Sequence, residues 1–103
     1  MVPTKTLDKV AHHIDMDKNQ LINEGILALL INKKNELSNE KLDLFRRHKV
    51  ISIETLRTKI QKGEVEEHPA WEDYIEIKNI DMEIKVIERD IKSLRKTHPG
   101  ISR

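Results

Sequence analysis

The side chains best suited to contact a phosphate group lie together near the middle of this chain. Arg46, Arg47 and Lys49 are basic, and His48 lies among them. A cationic cluster of this kind can contact nucleic-acid phosphates without reading the base sequence. Beyond Phe45, no aromatic residue interleaves with the cluster, so stacking on bases is not expected. The alternative is a solvated basic surface that faces an acidic segment of the same chain.

Residues that could hold a metal ion or act as a nucleophile do not have a useful spacing. His12 and His13 are adjacent, so their side chains point apart on a helix. The acidic residues between positions 64 and 73 could gather a divalent cation, but an exposed acidic loop is the simpler interpretation. The 3 glycines are scattered and there are 0 cysteines, which excludes a phosphate loop and a thiolate site. The sequence predicts a protein that is not an enzyme and uses no metal, cofactor or small-molecule substrate.

The most regular pattern in the chain is an apolar repeat in its C-terminal third. Its members are separated alternately by three and four residues, which predicts one long helix with a coiled-coil-type seam. Trp71 and Tyr74 extend the pattern upstream, and core packing is the favoured role for both. We expect the seam to bind a partner through Trp71, Tyr74, Ile77, Ile80, Ile84, Ile87, Ile91 and Leu94.

The charges beside this seam indicate what kind of surface it meets. One flank carries Glu76, Glu83 and Asp90, and the other carries Asp81 and Glu88 before Arg95. Pairing this seam with itself would place acid against acid, so a basic surface is the better match. That surface is either another protein or the chain's own basic middle. The basic side chains of that middle are Lys33, Lys34, Lys41, Arg46 and Arg47.

The elements that position these groups are predicted to be helices. Charged residues make up 36% of the chain and aromatic residues 3%, which favours helices joined by seams over a thick globular core. Alternating strand patterns and hairpin turns are lacking. We predict an all-α fold made of a helical hairpin, a short connecting helix and a long C-terminal coiled-coil-type helix. Residues 1–50 form the first region, and residues 51–103 form the second.

The boundaries of the first two helices follow from capping signals. A short helix is predicted to begin after Pro3 and to end near Ile14. Asp17 is a good N-cap for the second helix, and Gln20 three residues later gives a capping-box-like pair. The second helix runs at least to Lys34. It either continues to Arg47 or restarts near position 38.

The later boundaries follow from a cap, a glycine and a proline. Ser52 is predicted to cap a third helix over residues 53–62, and Gly63 has the place of a left-handed C-terminal residue. Pro69 is predicted to open the fourth helix. That helix is expected to end near Thr97, before the sequence His-Pro-Gly at 98–100.

The run from Leu7 to Leu30 resembles the helix–turn–helix half of ribbon-helix-helix (CopG-like) DNA-binding and antitoxin proteins. The similarity covers about residues 2–30 and depends on apolar spacing around the turn that contains Met16. It implies that Lys18 and Asn19 lie where the family's second helix grips a phosphate. Val2 and Pro3 resemble the end of the family's base-reading strand, which is otherwise nearly absent from this chain. Residues 63–75 also resemble segments of small archaeal proteins, some of them antitoxin-like.

Together these patterns predict a regulatory binding protein of the antitoxin type. The first half would form a homodimer and bind DNA, and the acidic helix would bind a basic protein. The candidate DNA-phosphate contacts are Lys18, Asn19, Arg46, Arg47 and Lys49. The alternative is a structural helical homo-oligomer or adaptor without nucleic-acid binding. The longest apolar stretch, residues 25–31, is too short to span a bilayer, so a cytoplasmic protein is expected.

Overall fold

The computed structural model describes residues 3–97, and this part of the chain is helical without strands. The helices are α1 (Thr4–His13), α2 (Lys18–Arg47), α3 (Ile53–Gln61) and α4 (Glu67–Thr97). The predicted all-α class and the long C-terminal helix are confirmed. The proposed strand end at Val2 and the stop signal at positions 98–100 lie outside the described residues.

Helices α2 and α4 form a long antiparallel hairpin, and α3 connects them at one end. Each long helix has about thirty residues, so each extends roughly 45 Å at 1.5 Å per residue. The molecule is accordingly elongated, with principal dimensions of 60 × 24 × 18 Å. Helix α1 packs against α2. None of the helices in residues 3–97 is long and apolar enough to cross a membrane.

Two of the predicted N-caps are formed by side chains. Asp17 has an extended backbone, and its carboxylate accepts a hydrogen bond from the Gln20 amide at 3.2 Å. Ser52 also has an extended backbone, and its hydroxyl accepts a hydrogen bond from the Thr55 amide at 3.1 Å. The second half of the predicted capping box is wrong. The Gln20 side chain donates to Glu24 at 2.9 Å, because residues four apart are neighbours on a helix surface.

The first three helices end with a residue in the left-handed conformation. Gly63 has a φ of 72°, as predicted, and Asp15 and Lys49 have φ values of 57° and 55°. In each case the backbone amide of the following residue donates a hydrogen bond to a carbonyl in the last turn of the helix. The Val50 amide, for example, donates to the Phe45 carbonyl at 3.0 Å. Such bonds satisfy carbonyl groups that a helix end leaves without partners.

Three helix boundaries refine the predictions. Helix α2 runs without interruption to Arg47, which decides between a rod and a restart at position 38. Helix α3 ends at Gln61, one residue early. Helix α4 begins at Glu67, two residues before Pro69. A proline is tolerated there because the first-turn amides of a helix have no intrahelical acceptor.

One hydrophobic cluster joins the two regions of the chain. Leu56 of α3 and Ile77 of α4 are its fully buried large side chains. The buried members of the cluster are Leu27, Leu37, Leu44, Val50, Leu56, Ile60, Ala70, Ile77, Ile80, Ile84, Ile87 and Ile91. The core is therefore a strip along the hairpin, widened at one end where α3 packs on α4.

Candidate protein-binding surfaces

The predicted seam of α4 lies inside the hairpin. Its five isoleucines, from Ile77 to Ile91, are all buried, and they share one cluster with Leu27, Leu37 and Leu44 of α2. Trp71, Tyr74 and Leu94 are partly buried and pack against the same cluster. The seam thus packs against the chain's own middle, which was one of the two alternatives that the sequence allowed.

Ion pairs cross this seam between the basic middle and the acidic helix. The Lys41 ammonium lies 2.8 Å from the Asp81 carboxylate, and Lys34 lies 3.1 Å from Glu88. Arg47 donates to Asp73 at 2.9 Å. Partly exposed pairs stabilise a fold only weakly, but they fix which helix faces which. Lys33 and Arg46 instead pair with acids on α2 itself.

A buried carboxylate lies at the α3 end of the hairpin. Asp73 is the buried charged residue among those described, with 7% of its surface exposed. It contacts the Nε2 atom of His48 at 2.7 Å and the guanidinium of Arg47. Lys59 of α3 donates to the His48 carbonyl at 3.3 Å, which ties α3 to the same corner. Asp73 therefore links α4 to the C-terminal end of α2 at the corner where α3 also packs.

Sequence reasoning missed the role of Asp73, although a signal was present. Asp73 lies four residues before Ile77, on the core-facing side of the repeat. An acid at such a position needs a buried partner. The sequence could not indicate that Arg47 and His48 supply it from another helix.

The aromatic pair packs as a structural unit. The Trp71 and Tyr74 rings meet edge to face, with centroids 5.2 Å apart and an interplanar angle of 84°. The Lys78 ammonium lies 5.8 Å from the centre of the Tyr74 ring. Because both rings are partly buried against the core cluster, their placement agrees with the favoured core role.

The structure does not bring the candidate DNA-phosphate residues together. Lys18 and Asn19 begin α2, whereas Arg46 and Arg47 end it, and Lys49 follows. Asn19 and Arg46 are 27 positions apart, which is roughly 40 Å along a helix. Lys18 also lies 3.7 Å from Asp8. The five residues thus lie in two separate groups, one at each end of α2, and only the group at its C-terminal end is a cluster of basic side chains.

A small cleft opens between the two long helices in the part of the chain that the structure describes. A shallow cleft of about 240 Å³ lies between α2 and α4, lined by Lys34, Glu88, Ile91, Lys92 and Arg95. Ligand pockets in proteins usually enclose about 300–1,000 Å³. Within residues 3–97, no three histidine or carboxylate side chains gather in a way that could hold a metal ion.

Exposed apolar side chains concentrate near the start of the chain. Of the ten large hydrophobic residues that the described part exposes, five lie in α1, just after it, or in the first half of α2. We call them the N-terminal patch: Val10, Ile14, Ile22, Ile26 and Leu29. Their exposed fractions range from 39% for Ile22 to 70% for Leu29. The sequence placed these residues in helices but gave no reason to expect them on the surface.

Comparison with known protein families gives a match over nearly the whole sequence. No curated protein matches the chain. No solved structure matches it either. The model of the Uncharacterized protein MJ0235 family matches residues 1–98, nearly the whole sequence. The chain belongs to the Uncharacterized protein MJ0235 family.

Proposed function

We propose that this chain is a non-enzymatic helical binding protein that receives an apolar surface of another protein on its N-terminal patch. The observation that carries the proposal is the exposure of five large apolar side chains from one region of a highly charged molecule. Exposed apolar side chains that lie together on one surface mark sites of protein interaction. The hairpin formed by α2 and α4 would act as the rigid support.

The α2 part of the patch has the geometry of a helix-binding stripe. Ile22, Ile26 and Leu29 follow one another at intervals of four and three residues, so they lie on one face of α2. Leu27 faces the hairpin core and is only 4% exposed. Helix α2 is thus apolar on two faces, and α4 covers the one that Leu27 occupies. A partner helix with its own apolar stripe would bury the other.

Two other functions have less support. A basic protein on the acidic side of α4 would compete with Lys34 and Lys41, which already pair with Glu88 and Asp81. DNA binding of the ribbon-helix-helix kind would need its phosphate contacts on one surface, whereas the candidate residues lie at opposite ends of α2. An antitoxin role remains compatible with the proposal only if the toxin binds through apolar contacts.

The proposal is tested by photocrosslinking in the cells that produce the protein. A benzoylphenylalanine at position 22 is expected to give a discrete adduct with a second protein, identified by mass spectrometry. The same reagent at Asn39, which is exposed on α2 away from the patch, is the matched control. When Ile26→Lys and Leu29→Lys are added to the variant with the photocrosslinker at position 22, the adduct should disappear. The thermal unfolding temperature of the chain should not change. Equal adducts at positions 22 and 39, or adducts only with copies of the chain itself, would overturn the proposal.

A further inference from the structure

Helix α4 carries a second heptad seam on the face opposite the buried one. Ile75, Met82 and Val86 are 56%, 65% and 51% exposed. With Asn79 they are spaced by four, three and four residues, as are the core positions of a coiled coil. At about 100° per residue, this outer seam points roughly 150° away from the Ile77 seam. Helix α2 therefore cannot cover it.

The flanks of the outer seam carry opposite charges in an ordered way. The intervals place Ile75 and Met82 at d positions, and Asn79 and Val86 at a positions. The g positions are then basic, and they are Lys78, Lys85 and Lys92. The e positions are acidic, and they are Glu76, Glu83 and Asp90. All six side chains are exposed, and none forms an ion pair within the described residues.

This charge order selects one partner and one orientation. In a parallel pair, each g residue meets the e residue five positions later on the other helix. Lys78 then meets Glu83 and Lys85 meets Asp90, and each contact occurs twice by symmetry. In an antiparallel pair, g meets g and e meets e, so lysines oppose lysines and acids oppose acids. A helix with this pattern is thus complementary to a parallel copy of itself.

We propose that the outer seam of α4 pairs in parallel and in register with the outer seam of a second copy of this chain. Asn79 supports the register, because an asparagine at an a position is best satisfied by the same residue on a parallel partner. The hairpin already holds α4 as a helix, so pairing does not incur the ordering cost that makes short isolated coiled coils unstable. Four core layers form a small interface, so we expect dissociation constants on the order of tens to hundreds of micromolar.

The pairing has a consequence for the proposed function, although it does not depend on it. Because the two copies are parallel, both N-terminal patches lie toward the same end of the dimer. A partner with two apolar helices, or two neighbouring partners, would then be bound with increased apparent affinity. Removing the patch would leave the pairing intact, so the two proposals can fail independently.

The first test exchanges charges and follows the mass of the full chain by sedimentation up to about 1 mM. The double variant K78E/K85E places acids against Glu83 and Asp90 and should remain monomeric. The double variant E83K/D90K places lysines against Lys78 and Lys85 and should also remain monomeric. An equimolar mixture of the two should form heterodimers, because every contact is again between opposite charges. Circular dichroism confirms that each variant is folded.

The second test measures orientation with single cysteines, since the chain has none of its own. In a parallel dimer, Ile75→Cys and Val86→Cys should each form a disulfide with the same position of the other copy. In an antiparallel dimer, a mixture of the two variants would instead form disulfides between position 75 of one copy and position 86 of the other. Asn39→Cys is the control for random collision. A chain that stays monomeric throughout, mixed disulfides between positions 75 and 86, or a dimer that survives K78E/K85E would each overturn the proposal.

Discussion

Replacing Ile77 with alanine is expected to lower the free energy of unfolding by about 3 kcal/mol. Ile77 is 0% exposed, at the point where α3, α2 and α4 share one cluster. Removing its side chain loses buried apolar contacts and leaves a cavity that three rigid helices cannot close. Since a domain of this size is stabilised by about 5–15 kcal/mol, the loss is a large fraction of the total. Urea unfolding followed by circular dichroism measures it.

The matched control is Ile75→Ala on the same helix. Ile75 is 56% exposed, and alanine is the better helix former, so we expect a change within about 0.5 kcal/mol. The comparison is made at low micromolar protein concentration, where the outer seam is not expected to pair. Equal losses for the two variants would mean that the Ile77 seam is not packed inside the hairpin.

Replacing Asp73 with alanine is expected to have the second-largest effect, about 1–3 kcal/mol. The variant removes the acceptor that His48 contacts at 2.7 Å and Arg47 at 2.9 Å. The His48 side chain is only 9% exposed, so water cannot fully replace the lost contact. The loss should be larger than that of an ordinary surface ion pair. Chemical unfolding again measures the change.

The control for this prediction is Asp43→Ala. Asp43 contacts Arg46 at 3.3 Å, and both side chains are about three-quarters exposed. We expect a loss within about 0.5 kcal/mol, because solvent screens such a pair. The effect of Asp73→Ala should also shrink in a His48→Ala background, where one stranded partner is already gone. A loss at Asp43 as large as that at Asp73 would contradict the assigned role.

The helices were predictable because their signals are local. Asp17, Ser52 and Gly63 have side chains or backbone preferences that mark helix ends within a few residues. Asp15 and Lys49 also adopt left-handed conformations, but neither residue type signals this as glycine does. Leu37 and Leu44 lie on either side of position 38 and are buried in the cluster with α4. Such tertiary packing favours a continuous helix, whereas the local sequence was compatible with either a continuous helix or a restart.

The surfaces were harder to predict because their meaning depends on which elements meet. The charges beside Ile77 indicated a basic partner surface, but they are equally complementary to another protein and to α2. The outer seam was visible in the spacing of Ile75, Met82 and Val86. That it is an exposed surface becomes clear only once α2 is known to cover the opposite face of α4. The exposure of Leu29 likewise depends on where α4 lies against α2.

The most direct test of the account measures whether α4 lies against α2 of the same chain. Asn39 and Glu83 are exposed positions at the same level of the hairpin. With each replaced by cysteine and labelled with a nitroxide, pulsed electron paramagnetic resonance measures the distance between the two labels. Labelled protein is diluted into unlabelled protein so that only distances within one chain are seen. A closed hairpin predicts about 25 Å or less, given helix axes about 10 Å apart and the label linkers. A distribution centred beyond about 40 Å, the reach of a projecting helix, would contradict the account.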